Sequence, residues 1–213
     1  MKKGKFITFE GIDGSGKSTI IKMLKDEFKI NNINIQFTRE PGGKDKLCEN
    51  IRDILLSDKY EMCYETEALL FAASRAQHVK KFIIPNINQG VNIISDRFLD
   101  SSLVFQGYCR NLSVDKVLTI NEFGIGNFKP DLTIFFDIPT NLGEKRIYNS
   151  RSLKIDRLDK DFIDKKLLAY KGYKEVINNN NNNRFIIIDA TKTITEVFAE
   201  VYKIVNDLIS YEK

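Results

Sequence analysis

The chain has 213 residues, of which 42% are hydrophobic and 29% charged, and its formal net charge is +4. This length buries a sizeable core, so we expect one soluble globular domain over residues 1–213. The longest apolar runs have only strand length, which argues against a membrane partner, and the modest charge gives no indication of nucleic acid.

Strand-like apolar runs alternate with helical patterns along the chain. Apolar residues recur at helical spacing after each of the first two runs, and again over residues 194–209 at the end of the chain. A further helical pattern runs from Glu65 toward Ile83, and Pro85 should kink or end that helix. The predicted strands cover residues 5–9, 33–38, 91–95, 132–137 and 185–189. This order predicts an α/β fold with a five-stranded parallel sheet, helices on both faces, and ligands at the carboxyl ends of the strands.

The cysteines and the first residues bear on the cellular compartment. Cys48, Cys63 and Cys109 are odd in number and widely spaced, a pattern typical of neither a disulfide framework nor a zinc site. The first predicted strand follows Met1–Gly4 directly, which leaves no room for a signal peptide. We therefore expect reduced thiols in a cytoplasmic protein.

A glycine-rich loop follows the first predicted strand. Residues 11–19 match the phosphate-binding pattern G-x-x-x-x-G-K-[ST], and a helical pattern follows them. Glycines let backbone N–H groups turn toward one anion, Lys17 can reach the β- and γ-phosphates, and Ser18 can ligate Mg²⁺. The predicted ATP-binding residues are Gly11, Ile12, Asp13, Gly14, Ser15, Gly16, Lys17, Ser18 and Thr19.

Two further motifs follow the next predicted strands. Residues 38–43 read Thr-Arg-Glu-Pro-Gly-Gly, and residues 96–98 read Asp-Arg-Phe. Between them, Phe71 and Arg75 lie four residues apart on one predicted helix and share a face. Together with the glycine-rich loop, this ordered set resembles the thymidylate kinase family, from Phe6 to the last predicted helix.

The resemblance implies a nucleoside monophosphate kinase fold of three layers, and transfer of the γ-phosphoryl of Mg-ATP to dTMP in dTTP biosynthesis. Asp13 would lie between the two nucleotides. Arg39 and Arg97 would bind the acceptor phosphate, because guanidinium groups match phosphate oxygens in pairs. Phe71 would stack on the thymine ring. The implied dTMP site comprises Arg39, Glu40, Pro41, Phe71, Arg75, Arg97, Ser102 and Phe105. The resemblance also implies a homodimer.

A basic polar stretch over residues 143–159 precedes a helical pattern that resumes near Phe162. Such a stretch is usually a solvated surface loop. The alternative is a mobile lid that closes over ATP and brings arginines to the migrating phosphoryl group. Since the phosphate loop holds no arginine, the chain resembles the branch of the family whose transition-state arginine lies in the lid. The predicted catalytic residues are Lys17, Asp13, Arg97, Arg151 and Arg157.

Two other functions remain open alternatives. A deoxynucleoside kinase phosphorylates a neutral 5′-hydroxyl and needs a general base, for which Glu40 is the candidate, but Arg39 and Arg97 would then bind no acceptor phosphate. An ATP-binding switch protein is the other alternative. His78, the only histidine, matches no catalytic element, and we predict a structural role for it.

Overall fold

A five-stranded parallel sheet forms the centre of the computed structural model, which describes residues 3–149, 156–179 and 183–210. The strands lie in the order β2-β3-β1-β4-β5 and confirm the predicted sheet. Their bounds are β1 (Phe6–Glu10), β2 (Ile35–Arg39), β3 (Asn92–Asp96), β4 (Leu132–Asp137) and β5 (Phe185–Asp189).

Helices surround the sheet. The α-helices are α1 (Lys17–Ile30), α2 (Lys46–Leu56), α3 (Tyr64–His78), α4 (Ile84–Asn88), α5 (Leu99–Ser102), α6 (Val114–Ile125), α7 (Thr140–Asn149), α8 (Arg157–Phe162), α9 (Lys166–Asn178) and α10 (Ile194–Ser210). Two π-helical segments, Val79–Ile83 and Leu103–Cys109, continue α3 and α5, and a short 3-10 turn, Ile163–Lys165, joins α8 to α9.

Burial on both faces of the sheet explains the unbroken apolar runs. All five residues of β1 are buried. Since successive side chains of a strand point to opposite faces, helices must cover both faces of this central strand. On α10, Val197, Val201 and Val205 recur every fourth residue and are buried, so they present one apolar face to the core. Each such side chain stabilises the fold by roughly 2 kcal/mol.

Pro85 lies in the first turn of α4, where the helical path that began with α3 changes. The segment Val79–Ile83 has π-helical hydrogen bonding, and α4 begins directly after it. Proline cannot donate a backbone hydrogen bond, so it favours such a change of register. The predicted kink is therefore a π-helical segment rather than the end of the helix.

Candidate active site

The carboxyl ends of β1, β2 and β3 lie side by side. Asp96 is in register with Phe9 on one neighbouring strand and with Arg39 on the other. The backbone N–H of Glu40 donates to the carbonyl of Asp96 over 3.0 Å, and that of Arg97 donates to Phe9 over 3.0 Å. The three motifs that follow these strands therefore meet at one edge of the sheet.

Lys17 lies at the start of α1 with its ammonium group turned into the phosphate loop. Its Nζ donates to the carbonyl oxygens of Gly11 and Ile12 over 2.8 and 3.2 Å and to the Ser15 hydroxyl over 3.3 Å. Burial, followed by the charge of Arg97, lowers the pKa of Lys17 to about 8. An anion beside Lys17 would favour the charged form, as a phosphate site requires.

Gly14 brings the phosphate loop against α7. Its φ of +81° lies in the region that favours glycine, and an added Cβ would lie 2.2 Å from the carbonyl oxygen of Gly143. Backbone therefore packs on backbone at this point. The phosphate-loop pattern allows any residue at position 14, but this structure requires glycine there.

Two neighbouring cavities open at this edge. The larger cavity, about 960 Å³, extends over the phosphate loop from Asp13 to Ile20 and reaches Arg146, Lys166, Ala190 and Thr193. The smaller cavity, about 220 Å³, lies toward α3 and the π-helical segment that follows α5. Five residues line both cavities and form what we call the shared wall: Asp13, Arg52, Arg97, Asp159 and Phe162.

Arg97 is the most highly connected residue of the shared wall. Its Nη2 donates to Asp13 over 2.6 Å, and its Nη1 donates to Gly11 O over 3.1 Å, Tyr173 over 3.0 Å and Ser101 over 3.2 Å. Its backbone φ is +68°, which is uncommon for a residue with a side chain. The surrounding contacts must hold this conformation, and such strain is concentrated at functional sites.

The contacts between Asp13 and Arg97 shift the pKa values of both side chains. Although burial opposes ionisation of Asp13, the charges of Arg97 and Lys17 hold the pKa of Asp13 below its usual value. Burial likewise opposes the charge of Arg97, but Tyr173 and Asp13 raise its pKa. Both side chains are therefore ionised at neutral pH.

Glu40 is buried at the floor of the smaller cavity between two partners. Arg75 Nε donates to its Oε2 over 2.7 Å, and His78 Nδ1 donates to its Oε1 over 2.9 Å. Burial opposes its charge, but Arg75 and His78 lower the pKa of Glu40. His78 Nε2 shares a 2.8 Å hydrogen bond with the Thr38 hydroxyl. Because both oxygens of Glu40 are occupied, the carboxylate is poorly placed to act as a general base.

Most residues of the predicted acceptor site line the smaller cavity. They are Glu40, Pro41, Phe71, Arg75, Arg97, Ser102 and Phe105. The Ser102 hydroxyl is buried there without a hydrogen-bond partner among the described residues. Arg39 is different, because its half-exposed side chain pairs with Glu49 over 2.8 Å and does not line the cavity.

The predicted lid is described only in part. Residues 143–149 belong to α7, Arg151 and Lys154 lie outside the described residues, and a helix resumes at Arg157 rather than near Phe162. Asp156 caps this helix and forms a capping box with Asp159. That Asp-x-x-Asp spacing is the sequence signal that locates the start of α8.

Arg157 lines neither cavity in the described structure. Its Nη2 donates to Glu67 over 2.8 Å, its Nη1 to Asp161 over 3.0 Å and its Nε to the carbonyl of Leu55 over 2.9 Å. The structure thus brings Lys17, Asp13 and Arg97 together but holds Arg157 apart from them.

Several residues of the site had no recognised sequence signal. Arg52 and Asp159 belong to the shared wall, Gln106 lines the smaller cavity, and the Tyr173 hydroxyl accepts a hydrogen bond from Arg97.

Glu10, at the end of β1, was also missed. It is fully buried and accepts hydrogen bonds from Phe98 N, the Ser101 hydroxyl (2.6 Å) and the Tyr173 hydroxyl (2.9 Å). Burial, followed by the charge of Asp100, raises the pKa of Glu10 to about 7.

Two oxygen donors of the larger cavity suit a divalent cation carried by a nucleotide. Ser18 and Asp96 both line it, and Asp96 Oδ1 is buried without a hydrogen-bond partner among the described residues. Magnesium prefers oxygen ligands and is commonly bound by one or two protein groups together with phosphates. No group of three or more His, Cys, Asp or Glu side chains in the described ranges is arranged as a metal site.

Within the part of the chain that the structure describes, every helix is too short or too polar to cross a membrane. The three cysteines are free thiols, and Cys63 alone is exposed.

Known proteins resemble the chain along almost its full length. Residues 9–201 match the family model for thymidylate kinase. A thymidylate kinase of Clostridium novyi (strain NT) is 44% identical over 202 residues, covering 94% of this chain and 98% of the relative. Those of Geobacillus sp. (strain WCH70) and Mycoplasma capricolum subsp. capricolum are each 43% identical, covering 97% and 94% of this chain and 98% and 93% of the relatives. The chain belongs to the thymidylate kinase family.

Proposed function

We propose that this chain transfers the γ-phosphoryl group of ATP to dTMP, producing ADP and dTDP. Phosphorylation of dTMP is the function of the thymidylate kinase family, whose members are nucleoside monophosphate kinases. The observation that carries the proposal is the shared wall, in which Arg97 and Asp13 stand between a cavity over the phosphate loop and a second, smaller cavity. With one nucleotide in each cavity, the transferred phosphoryl group would lie beside the residues that line both cavities.

The smaller cavity suits a nucleoside monophosphate. Arg97 and Arg52 supply positive charge at the shared wall for the acceptor phosphate, and Phe71 and Phe105 line the same cavity with aromatic rings that suit a base and a sugar. Arg75, fixed by Glu40, supplies hydrogen-bond donors at the deeper end. We also retain Arg39 as a predicted phosphate ligand, which would require it to leave Glu49.

Catalysis in this arrangement rests on position and charge. The attacking group is a phosphate oxygen, whose second pKa of about 6 leaves it largely ionised at neutral pH, so no general base is needed. Lys17 and the phosphate-loop amides hold the donor phosphates, and Arg97 aligns the acceptor. Asp13 orients Arg97 through their hydrogen bond of 2.6 Å.

Magnesium would be held by Ser18 and Asp96 in the larger cavity. When bound with ATP, it would neutralise charge on the β- and γ-phosphate oxygens. From the lid, proposed over residues 143–159, Arg151 remains a predicted transition-state arginine, whereas Arg157 would have to leave Glu67 and Asp161 to reach a phosphate.

We further propose a cytoplasmic homodimer. The helices α3 and α6 pack against each other, and each carries a large apolar side chain in solvent, Leu69 and Phe123. Phe123 is 93% exposed, and dimerisation through α3 and α6 would remove this aromatic side chain from water, which is favourable. Sedimentation of wild-type protein and of Phe123→Asp tests this, because the variant should be monomeric.

Release of ADP in the presence of different acceptors tests the proposed reaction. Purified protein with Mg-ATP is given dTMP, dUMP, UMP, AMP, thymidine or no acceptor. We expect strong release with dTMP and little with thymidine. Preference for thymidine would instead indicate nucleoside phosphorylation, and release that ignores the acceptor would indicate an ATPase or a switch protein.

A further inference from the structure

Arg157 lies in a closed ring of ion pairs that joins α8 to α3. Arg157 contacts both Glu67 (2.8 Å) and Asp161 (3.0 Å). Arg110 contacts the same two carboxylates, Glu67 over 2.9 Å and Asp161 over 2.6 Å. We call these four residues the lid ring. Two cations and two carboxylates alternate in it, so each charge has two partners of opposite sign.

Burial makes the lid ring costly to open. The side chains of Glu67, Arg110 and Arg157 are 0%, 2% and 11% exposed. Removing one partner from a buried ion pair leaves an uncompensated charge in a poorly solvated place, which is far more unfavourable than losing a surface pair. If Arg157 moved to a phosphate, Glu67 would keep only Arg110 as a cationic partner within the ring.

The lid ring also contacts aromatic residues beside the smaller cavity. The guanidinium of Arg110 lies over the rings of Tyr64 and Phe162, 4.4 and 4.5 Å from their centroids. Phe162 in turn meets the edge of Phe105 at 4.9 Å. Phe162 and Phe105 both line the smaller cavity, together with Leu158 of α8. The ring therefore fixes the side of the smaller cavity that α8 contributes.

We infer that Arg157 is a positioning residue. Paired with Glu67, it holds α8 so that Leu158, Asp159 and Phe162 close the acceptor side of the site, and it does not contact the migrating phosphoryl group. The identity of the acceptor rests on the proposed function, but the ring and its effect on α8 do not.

Substitutions at the two ends of one ion pair separate this role from a transition-state role. Glu67→Gln keeps the side-chain volume and removes the buried charge, and Arg157→Ala removes its partner. Initial rates with varied dTMP and varied ATP give kcat and both KM values. Hydrogen exchange of the amides over residues 157–162 reports the attachment of α8 without depending on activity.

If Arg157 positions α8, both variants should raise KM for dTMP about 10-fold while kcat changes by less than about threefold, and the double variant should be no worse than the poorer single variant. Exchange over α8 should accelerate in all three. If Arg157 acts on the phosphoryl group, Arg157→Ala should lower kcat by about 10³-fold while Glu67→Gln leaves it unchanged. That result, or wild-type behaviour of both variants, would overturn the inference.

Two further variants keep the test interpretable. Asp161→Asn weakens the same ring at a side chain that is 35% exposed, and it serves if Glu67→Gln does not fold. Lys160→Ala removes an exposed ion pair between α8 and Asp58 and should alter neither kinetics nor exchange. Wild-type protein that fails to phosphorylate dTMP would contradict the proposed function alone, because the exchange measurement would still test the ring.

Discussion

The Tyr173 hydroxyl lies 3.0 Å from the guanidinium of Arg97, although 76 positions separate the two residues in the chain. The same hydroxyl donates to the buried carboxylate of Glu10 over 2.9 Å. Tyr173 belongs to α9, which follows α8 and the predicted lid, whereas Arg97 follows β3. One hydroxyl thus links the element beyond the lid to the residue that we place at the acceptor phosphate.

Tyr173→Phe should test this link, because it removes the hydroxyl and keeps the ring against Phe105 and Phe135. We expect kcat to fall about 10-fold, since Arg97 loses a partner that helps to hold its guanidinium in position, and the free energy of unfolding to fall by about 1–2 kcal/mol. Rate assays and urea unfolding measure the two effects. An unchanged kcat would show that Arg97 does not depend on this contact.

Lys17→Ala and Arg97→Ala should each lower kcat by about 10³-fold, because each removes a cation that neutralises phosphate charge during transfer. Lys22, an exposed residue of α1, offers a matched control, and Lys22→Ala should keep wild-type rates. Circular dichroism and thermal unfolding should show all three variants folded. Near-wild-type kcat in either site variant would remove that residue from the mechanism.

The pKa of Glu10 predicts a specific dependence of stability on pH. Burial raises this pKa from 4.5 to about 7, so the folded state binds the proton more tightly than the unfolded state. The contribution of Glu10 to stability is therefore largest below pH 4.5 and declines, by at most about 3 kcal/mol, as the pH rises to 7.

Glu10→Gln should remove this decline. Urea unfolding of wild type and variant at several pH values between 4.5 and 8 gives the difference in unfolding free energy. We expect that difference to shift in favour of the variant as the pH rises, whatever constant offset the lost hydrogen bonds add. Two parallel stability curves would contradict the raised pKa.

Gly14→Ala should impair binding of ATP because its Cβ would force the phosphate loop away from Gly143. We expect a substantial rise in KM for ATP. Gly126 is the control, since its φ is also positive, at +62°, but an added Cβ would meet nothing within 4 Å. Gly126→Ala should cost about 1–3 kcal/mol of stability from backbone strain and keep the KM for ATP. Equal KM values in the two variants would refute the packing argument.

The sheet and the phosphate loop were predictable because local sequence determines them. Continuous apolar runs marked the five strands, and the fixed spacing of Gly11, Gly16 and Lys17 identified the turn into α1. The motifs after β2 and β3 were found for the same reason, and parallel strands bring such segments to one edge.

The contacts that complete the site join residues far apart in the chain, and local sequence patterns do not predict such pairs. Arg157 meets Glu67 across 90 positions, and Arg75 meets Asn121 across 46. A charged residue in a basic stretch gives no sign of a buried partner so far away, and the family resemblance placed Arg157 at the phosphates instead. The start of α8, by contrast, was wrongly expected near Phe162, although its capping box is local and marks the start at Arg157.

Transfer of a labelled γ-phosphoryl group tests the central claim most directly. ATP labelled at the γ position is incubated with the protein, Mg²⁺ and dTMP or thymidine, and the labelled products are separated. We predict that the label appears in dTDP, that little of it enters dTMP when thymidine is the acceptor, and that Arg97→Ala abolishes most of the transfer. Label found in inorganic phosphate, or transferred preferentially to thymidine, would contradict the account.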